Sequence, residues 1–262
     1  MIARIARTNV TPVKSTGLTH PERIRLDRRG VRGNREFVFL QSDGARVSGV
    51  SKAALMGIRS TYDPHRDRLT LSMPDGCTVE GDASGAGDAL DVEFYGGITH
   101  PVRLLEAPAL VDAASGFLQR PLRLGRLARP GHDTIGEPVS LLSLSSVREL
   151  ARRAGTGDID SRRFRMLIEL EETEPFAEES WLGRTLVAGD AQLRITRPVS
   201  RCVMTTMDPD SGAQDLPTLE LLATHKGRSP DGTLTLGVYA DVVRPGTLTI
   251  GDMLTPAPPY SR

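Results

Sequence analysis

Apolar and polar residues alternate along much of the chain, which is the pattern of half-buried β-strands. In residues 67–81, three apolar residues alternate with polar ones before a Pro-Asp-Gly turn and a second strand-like run, which predicts a β-hairpin. Residues 35–50 repeat this arrangement around Ser-Asp-Gly. Further strand-like runs occupy residues 163–170, 185–196 and 237–253. Many short strands with few helices predict a mainly β, α+β protein with two β-barrel-like domains.

Two segments in the second half of the chain carry helical patterns instead. In the first, Ser146 is the expected N-cap, Glu149 completes a capping box, and Gly155 ends the helix after one apolar stripe. In the second, Asp215 is the expected N-cap, and Pro217 suits a first turn because its missing N–H matters least there.

Length and charge narrow the possible functions. The 262 residues are enough for two cores, and a change in composition predicts one domain over residues 1–105 and another over 106–262. Lys plus Arg and Asp plus Glu both number 33, and aromatic residues make up 4%, so a nucleic-acid partner is not expected. No membrane-spanning run or secretory signal is recognised, and a cytoplasmic location is expected.

The chain has only two cysteines, Cys77 and Cys202, which give neither a disulfide framework nor a four-ligand zinc site. Cys202 lies where a strand-like run meets a polar loop in RPVSRCVMTTMDPDSG. One interpretation is a buried and inert thiol. The other is a metal ligand or nucleophile, because Arg201 and Arg197 supply positive charge that favours the thiolate. The residues alone leave both open.

Other candidate residues have equally simple structural interpretations. Lys14 and Ser15 in TPVKSTG suit an anion such as phosphate, but most such lysines are only solvated. Arg35 opens a strand, and Arg165 belongs to a basic cluster that is typical of a solvated face. Asp208 begins a turn, where an aspartate accepts hydrogen bonds from backbone N–H groups. No serine-hydrolase, P-loop or dinucleotide-binding motif is found.

The segment SRCVMTTMDPDSG resembles the signature loop of MOSC domains, the C-terminal domain of molybdenum cofactor sulfurases. The stretches RRFRMLIEL, EPFAEESWLGRTLVAGD and LGVYADVVRPGTLTIGDML follow the order and spacing of that family. The stretches TPVKSTG, GNREFVFLQSDG and RLTLSMPDG resemble the N-terminal β-barrel domain that precedes MOSC in amidoxime-reducing proteins. The resemblance covers nearly the whole chain and implies that the two predicted domains are these two modules.

The resemblance implies a molybdenum cofactor (molybdopterin) bound between the two domains. Cys202 stands at the metal-ligating position, and Asp208 matches the acidic residue of the loop, so both are expected to be catalytic. The expected cofactor-binding residues are Lys14, Ser15, Arg35, Arg165, Ser200, Arg201 and Thr205. The implied activity is an oxidoreductase that reduces small N-hydroxylated substrates. Electrons are expected from a separate donor protein, because two cysteines cannot supply the four thiolates of an iron–sulfur cluster.

The sequence also departs from the family pattern, which keeps other functions open. The family's Arg-Pro-Asn reads Arg165-Met166-Leu167 here, so an asparagine contact is missing. One alternative is a sulfur carrier or cofactor-binding module without turnover, with a persulfide on Cys202. Another is a two-barrel protein that binds a protein partner. Pyridoxal phosphate binding belongs to full-length cofactor sulfurases, and it is not expected of this sequence.

Overall fold

The computed structural model describes residues 3–85, 87–94, 97–128 and 138–258. Its strands are β1 Ala3–Thr8, β2 Arg23–Asp27, β3 Gly30–Val31, β4 Phe37–Leu40, β5 Arg59–Asp63, β6 Arg68–Ser72, β7 Thr78–Asp82, β8 Ala89–Glu93, β9 Thr99–Leu104, β10 Arg123–Leu127, β11 Val139–Ser143, β12 Ile168–Glu171, β13 Thr185–Ala188, β14 Ala191–Ser200, β15 Thr235–Arg244, β16 Gly246–Thr249 and β17 Met253–Pro256. Its α-helices are α1 Pro108–Leu118, α2 Leu144–Ala154 and α3 Thr218–His225. The predicted mainly β fold with a few helices is confirmed. None of the described helices is long and apolar enough to span a membrane.

Seven strands close into a barrel in the order β1-β12-β11-β15-β14-β13-β17. The first strand of the chain completes this barrel, because β1 pairs antiparallel with both β12 and β17. Alternate residues of the strands point inward, so Ile5, Leu193 and Val238 are fully buried in its core. The only tryptophan, Trp181, packs in the same core.

The region before the barrel strands β11–β15 contains two open sheets around a second core, while its strands β2 and β3 form a third sheet with β16. The sheets have the orders β4-β10-β9-β8 and β5-β6-β7. The hairpin predicted for residues 67–81 is confirmed, since β6 and β7 pair from Arg68↔Asp82 to Ser72↔Thr78. Helix α1 covers this core and has no counterpart among the predicted elements. The domain boundary predicted at residue 105 stays a prediction.

The first helix predicted from sequence begins three residues earlier than expected. Its N-cap is Ser143, whose Oγ accepts hydrogen bonds from the backbone N–H groups of Ser145 and Ser146. The predicted N-cap Ser146 instead donates its hydroxyl to the buried carboxylate of Glu178, at 2.9 Å from each oxygen. The predicted end at Gly155 is confirmed, and its φ of 64° is the left-handed conformation that favours glycine.

The second predicted helix is shorter than expected. Helix α3 begins at Thr218, and Pro217 occupies the N-cap position without a side-chain cap. The predicted N-cap Asp215 is wrong, because its carboxylate accepts two hydrogen bonds from Arg163, at 2.7 and 2.8 Å. Both carboxylate oxygens are bound by the Arg163 guanidinium in a bidentate pair, so Asp215 does not cap the helix, which starts later.

Candidate functional site

Cys202 lies two residues after the end of β14, at the start of a 3-10 turn over Val203–Thr206. The thiol is free and the residue is exposed, so the interpretation as a buried core cysteine is wrong. Thr205 holds the turn closed, because its backbone N–H and its hydroxyl donate to the Cys202 carbonyl at 3.1 and 3.0 Å. The predicted residue Thr205 therefore shapes the backbone that carries the thiol.

Arg201, the residue before the cysteine, anchors the end of the strand. Its Nε donates to the Leu236 carbonyl at 2.9 Å, and its Nη1 donates to the Phe164 carbonyl at 3.0 Å. Burial lowers the pKa of Arg201 to about 10, while attraction to Cys202 opposes this change and repulsion from Arg35 adds to it. Arg201 is still a cation at neutral pH.

Arg35 and Arg165 are tied to each other although they are remote in sequence. Arg35 Nη2 donates to the Arg165 carbonyl at 2.6 Å, and Arg165 Nη2 donates to the Thr16 carbonyl at 2.7 Å. The Phe164 carbonyl, one residue before, accepts the bond from Arg201. Arg201 and Arg35 therefore donate to the adjacent carbonyls of Phe164 and Arg165, and three of the predicted arginines lie together.

Three predicted residues have left-handed backbone conformations. The φ angles are 68° at Ser15, 54° at Arg35 and 51° at Arg165. Only four other described non-glycine residues have a positive φ, so these angles concentrate among the predicted site residues. Such conformations are uncommon and cost about 1–3 kcal/mol each unless the surroundings hold them, and they cluster at functional sites.

Lys14 is buried beside an aromatic ring, and a second cation, which the sequence pattern does not single out, lies beside the same ring. Lys14 Nζ lies 5.2 Å from the centroid of the Phe94 ring, and Arg46 Cζ lies 5.1 Å from the same centroid. The Lys14 backbone N–H donates to the Phe37 carbonyl, which fixes the residue beside β4. No local sequence pattern identifies Arg46, because its contact partner Phe94 lies in a hairpin nearly 50 positions further along the chain.

The structure places Asp208 in its own loop. Its Oδ1 accepts hydrogen bonds from the backbone N–H and the hydroxyl of Ser211, both at 2.7 Å. These bonds, led by the one from the Ser211 backbone, hold the pKa of Asp208 below its usual range. This geometry agrees with the turn interpretation. Ser200 is exposed at the end of β14, opposite Thr235 of β15.

The donor set fits an anionic cofactor with a soft metal. In the contacts above, Arg35, Arg165 and Arg201 donate to carbonyl oxygens, which orient the guanidinium groups without neutralising their charge. Within the described part of the chain, no three His, Cys, Asp or Glu side chains group to hold a metal ion. A metal here would therefore depend on the Cys202 thiolate and on ligands that a cofactor brings.

The chain resembles known proteins along most of its length. The family model for the MOSC N-terminal beta barrel domain matches residues 2–119, and the MOSC domain model matches residues 128–255. The chain is 31% identical over 149 residues to human "Mitochondrial amidoxime-reducing component 1", covering 51% of this chain and 42% of that protein. It is also 30% identical over 122 residues to rat "Mitochondrial amidoxime reducing component 2", covering 44% and 35%. The chain therefore spans less than half the length of these relatives.

Solved structures give more distant likenesses. The YUAD protein from Bacillus subtilis aligns over 97% of this chain and 94% of its own, with a TM-score of 0.46 and 12% identity. YiiM from Geobacillus stearothermophilus aligns over 47% of this chain and 55% of its own, with a TM-score of 0.34 and 17% identity.

Proposed function

We propose that this chain, which belongs to the MOSC domain family and carries the family's N-terminal β-barrel domain, binds a molybdenum cofactor and acts as an oxidoreductase. The family membership and the similarity to amidoxime-reducing components support an oxidoreductase family related to this cofactor. The finer proposal is that the protein reduces small N-hydroxylated substrates.

The observation that carries the proposal is the convergence of remote cations beside an exposed thiol. Arg35 comes from the first part of the chain and Arg165 from the second, yet the Arg35 side chain donates to the Arg165 carbonyl, and the Arg165 side chain donates to the Thr16 carbonyl. Arg201 bonds to the same turn and adjoins Cys202. Preorganised arginines of this kind are suited to phosphate and other oxyanions, because charge-assisted bonds to them are short and strong.

Each predicted residue then has a proposed part in holding the cofactor. The Cys202 thiolate would ligate the molybdenum, and Thr205 and Ser200 would frame the turn around it. Lys14, Ser15, Arg35, Arg165 and Arg201 would hold the phosphate and pterin end. When bound, the cofactor supplies the two-electron redox chemistry, and the protein supplies binding, orientation and charge. The catalytic part predicted for Asp208 stays a prediction.

The electron source and the substrate follow from the same reasoning. Electrons would come from a separate donor protein, since the two cysteines of this sequence cannot supply the four thiolates of an all-cysteine iron–sulfur cluster. The relatives are named for the reduction of amidoximes, and an N-hydroxylated small molecule is therefore the proposed substrate class. The cytoplasmic location predicted from sequence stays a prediction.

The experiment uses protein purified from a host that makes the molybdenum cofactor. An amidoxime is supplied as substrate, and a chemically reduced dye replaces the unknown donor. We expect amidine formation by the wild type and none by Cys202→Ala. Equal amidine formation by both proteins would contradict the proposed mechanism.

A second candidate function is a sulfur carrier without turnover. The exposed thiol of Cys202 favours it, because a carrier must present its sulfur to another protein. The position of the family's asparagine is also taken by Leu167, which is fully buried in the barrel core. Intact-mass measurement before and after a reductant distinguishes the two functions. A removable adduct with the mass of one sulfur atom, absent in Cys202→Ala, would favour the carrier.

A further inference from the structure

The chain after Cys202 forms a loop that closes on itself. We call residues 202–215 the cysteine loop. Met207 bridges to Gln214, and the Asp208 backbone N–H donates to the Ala213 carbonyl at 2.7 Å. These bonds give the loop its shape, but they lie within it. Other contacts have to fix its place relative to the rest of the site.

Asp215 makes one such contact at the end of the loop, through its two hydrogen bonds from Arg163. Asp210 makes another, to two remote segments at once. Its Oδ1 accepts hydrogen bonds from Arg59 Nη2 at 2.6 Å and from Arg162 Nη1 at 3.0 Å. Its Oδ2 accepts from Arg162 Nη2 at 2.8 Å. Arg59 begins β5, and Arg162 lies in the 3-10 turn Ser161–Phe164. One carboxylate thus joins the cysteine loop to the N-terminal sheets and to the turn that precedes Arg165.

The guanidinium group of Arg162 is oriented by Asp160 in addition to its contact with the loop. Asp160 Oδ2 accepts from Arg162 Nε at 2.9 Å and from Arg162 Nη2 at 2.6 Å. The hydrogen bonds to Asp160 and then Asp210 raise the pKa of Arg162 well above its usual value. A guanidinium whose orientation is already fixed loses little freedom when it binds a second carboxylate.

The segment 49–59 also packs closely against the cysteine loop. A Cβ atom on Gly49 would lie 2.9 Å from Met204 Cε. A Cβ atom on Gly212 would overlap the carbonyl oxygen of Ala53. The segment 49–59 therefore follows the cysteine loop from its start, near the thiol, to the Arg59–Asp210 ion pair.

We infer that Asp210 is a positioning residue: its carboxylate fastens the cysteine loop to Arg59 and Arg162 and so sets the place of Cys202 in the site. The importance of this for catalysis rests on the proposed function, but the positioning itself does not. Exposed ion pairs add little to global stability. Loss of the Asp210 contacts should therefore loosen the loop and leave the stability of the whole fold nearly unchanged.

The test measures loop order in protein without cofactor. In a Cys77→Ser background, a nitroxide label is attached to Cys202, and its spectrum reports the mobility of the loop. Amide hydrogen exchange of residues 203–213 is measured in parallel on unlabelled protein. We expect Asp210→Ala to mobilise the label and to speed exchange in the loop about two- to fivefold, while α2 is unchanged. Asp210→Glu should restore part of the order, because it keeps the carboxylate.

The matched control removes an exposed ion pair elsewhere, between Arg68 and Glu80 at 2.9 Å. Glu80→Ala should leave both the label and the loop exchange as in the wild type. The inference is overturned if Asp210→Ala also leaves them unchanged, or if exchange rises equally across the whole protein. Since no cofactor is present, a failure of the proposed reductase activity would not affect this outcome, and the reverse also holds.

Discussion

The side chain of Arg35 donates a hydrogen bond to the backbone carbonyl of Arg165 at 2.6 Å, although 130 positions separate the two residues. Both residues have left-handed backbone conformations. Such a pair holds the segment before β4 and the turn before β12 in one arrangement. The geometry of the site therefore depends on contacts between the two halves of the sequence.

The first prediction concerns the charge and the shape of Arg35. Arg35→Lys keeps the charge but loses the planar fork, and Arg35→Ala loses both. We expect cofactor retention to decrease from wild type to Arg35→Lys to Arg35→Ala, with about a tenfold weaker binding in the alanine variant. Pterin content after extended dialysis measures this. Arg23→Ala, an exposed strand arginine, is the control, and equal losses in both alanine variants would contradict the assignment.

The second prediction separates backbone strain from binding at Arg165. Glycine adopts a φ of 51° freely, so Arg165→Gly relieves strain while losing the bond to the Thr16 carbonyl. We expect the free energy of unfolding to change by no more than about 1 kcal/mol, while cofactor retention falls. Glu172→Gly, at a φ of 59°, is the matched control and should leave retention unchanged. Loss of retention in both variants would point to the backbone instead of the charge.

The third prediction tests the catalytic part of Asp208. Asp208→Asn keeps an oxygen that can accept the bonds from Ser211, whereas Asp208→Ala removes it. If Asp208 acts by holding the loop, turnover should be largely kept in the asparagine variant and lost in the alanine variant. If it transfers a proton, both variants should lose about 10²-fold or more in turnover. Steady-state rates with matched cofactor content decide between the two.

The fourth prediction concerns Glu178, a buried carboxyl held by Ser146. Burial raises the pKa of Glu178 to about 7. The unfolded chain releases this proton near pH 4.5, so the stability that the protonated group contributes is present below that pH and lost as pH rises to about 7. As pH rises through this window, the free energy of unfolding of Glu178→Gln should therefore increase relative to that of the wild type, by up to roughly 3 kcal/mol. Urea unfolding at pH 5 and pH 8 measures this, and a pH-independent difference would contradict it.

Local patterns predicted those parts of the fold that depend on neighbouring residues. The alternation of Leu69 and Leu71 placed β6 correctly, and both side chains are fully buried. The helix ending at Gly155 was also predicted, but its start was not, because Ser143, Ser145 and Ser146 are equivalent as caps in sequence. Ser146 is not the N-cap because its hydroxyl donates to the buried carboxyl group of Glu178.

Contacts between residues that are remote in sequence have no local pattern from which they could be predicted. Nothing local tells that β1 closes the barrel between β12 and β17. The family resemblance named Lys14, Arg35 and Arg165 as site residues, but the hydrogen bond from Arg35 to Arg165 and the contact of Lys14 with Phe94 appear only in three dimensions. Arg46 and Asp210 escaped notice for the same reason, because a cation or a carboxylate in a polar segment is usually a solvated residue.

The most direct test of the central claim is the molybdenum and pterin content of protein purified from a host that makes the cofactor, with Cys202→Ala prepared in parallel. The proposed site predicts nearly one molybdenum per chain in the wild type and a large loss of metal in the variant. Equal molybdenum in both proteins would contradict the assignment of Cys202 as the ligand. Neither metal nor pterin in either protein would contradict the cofactor site itself.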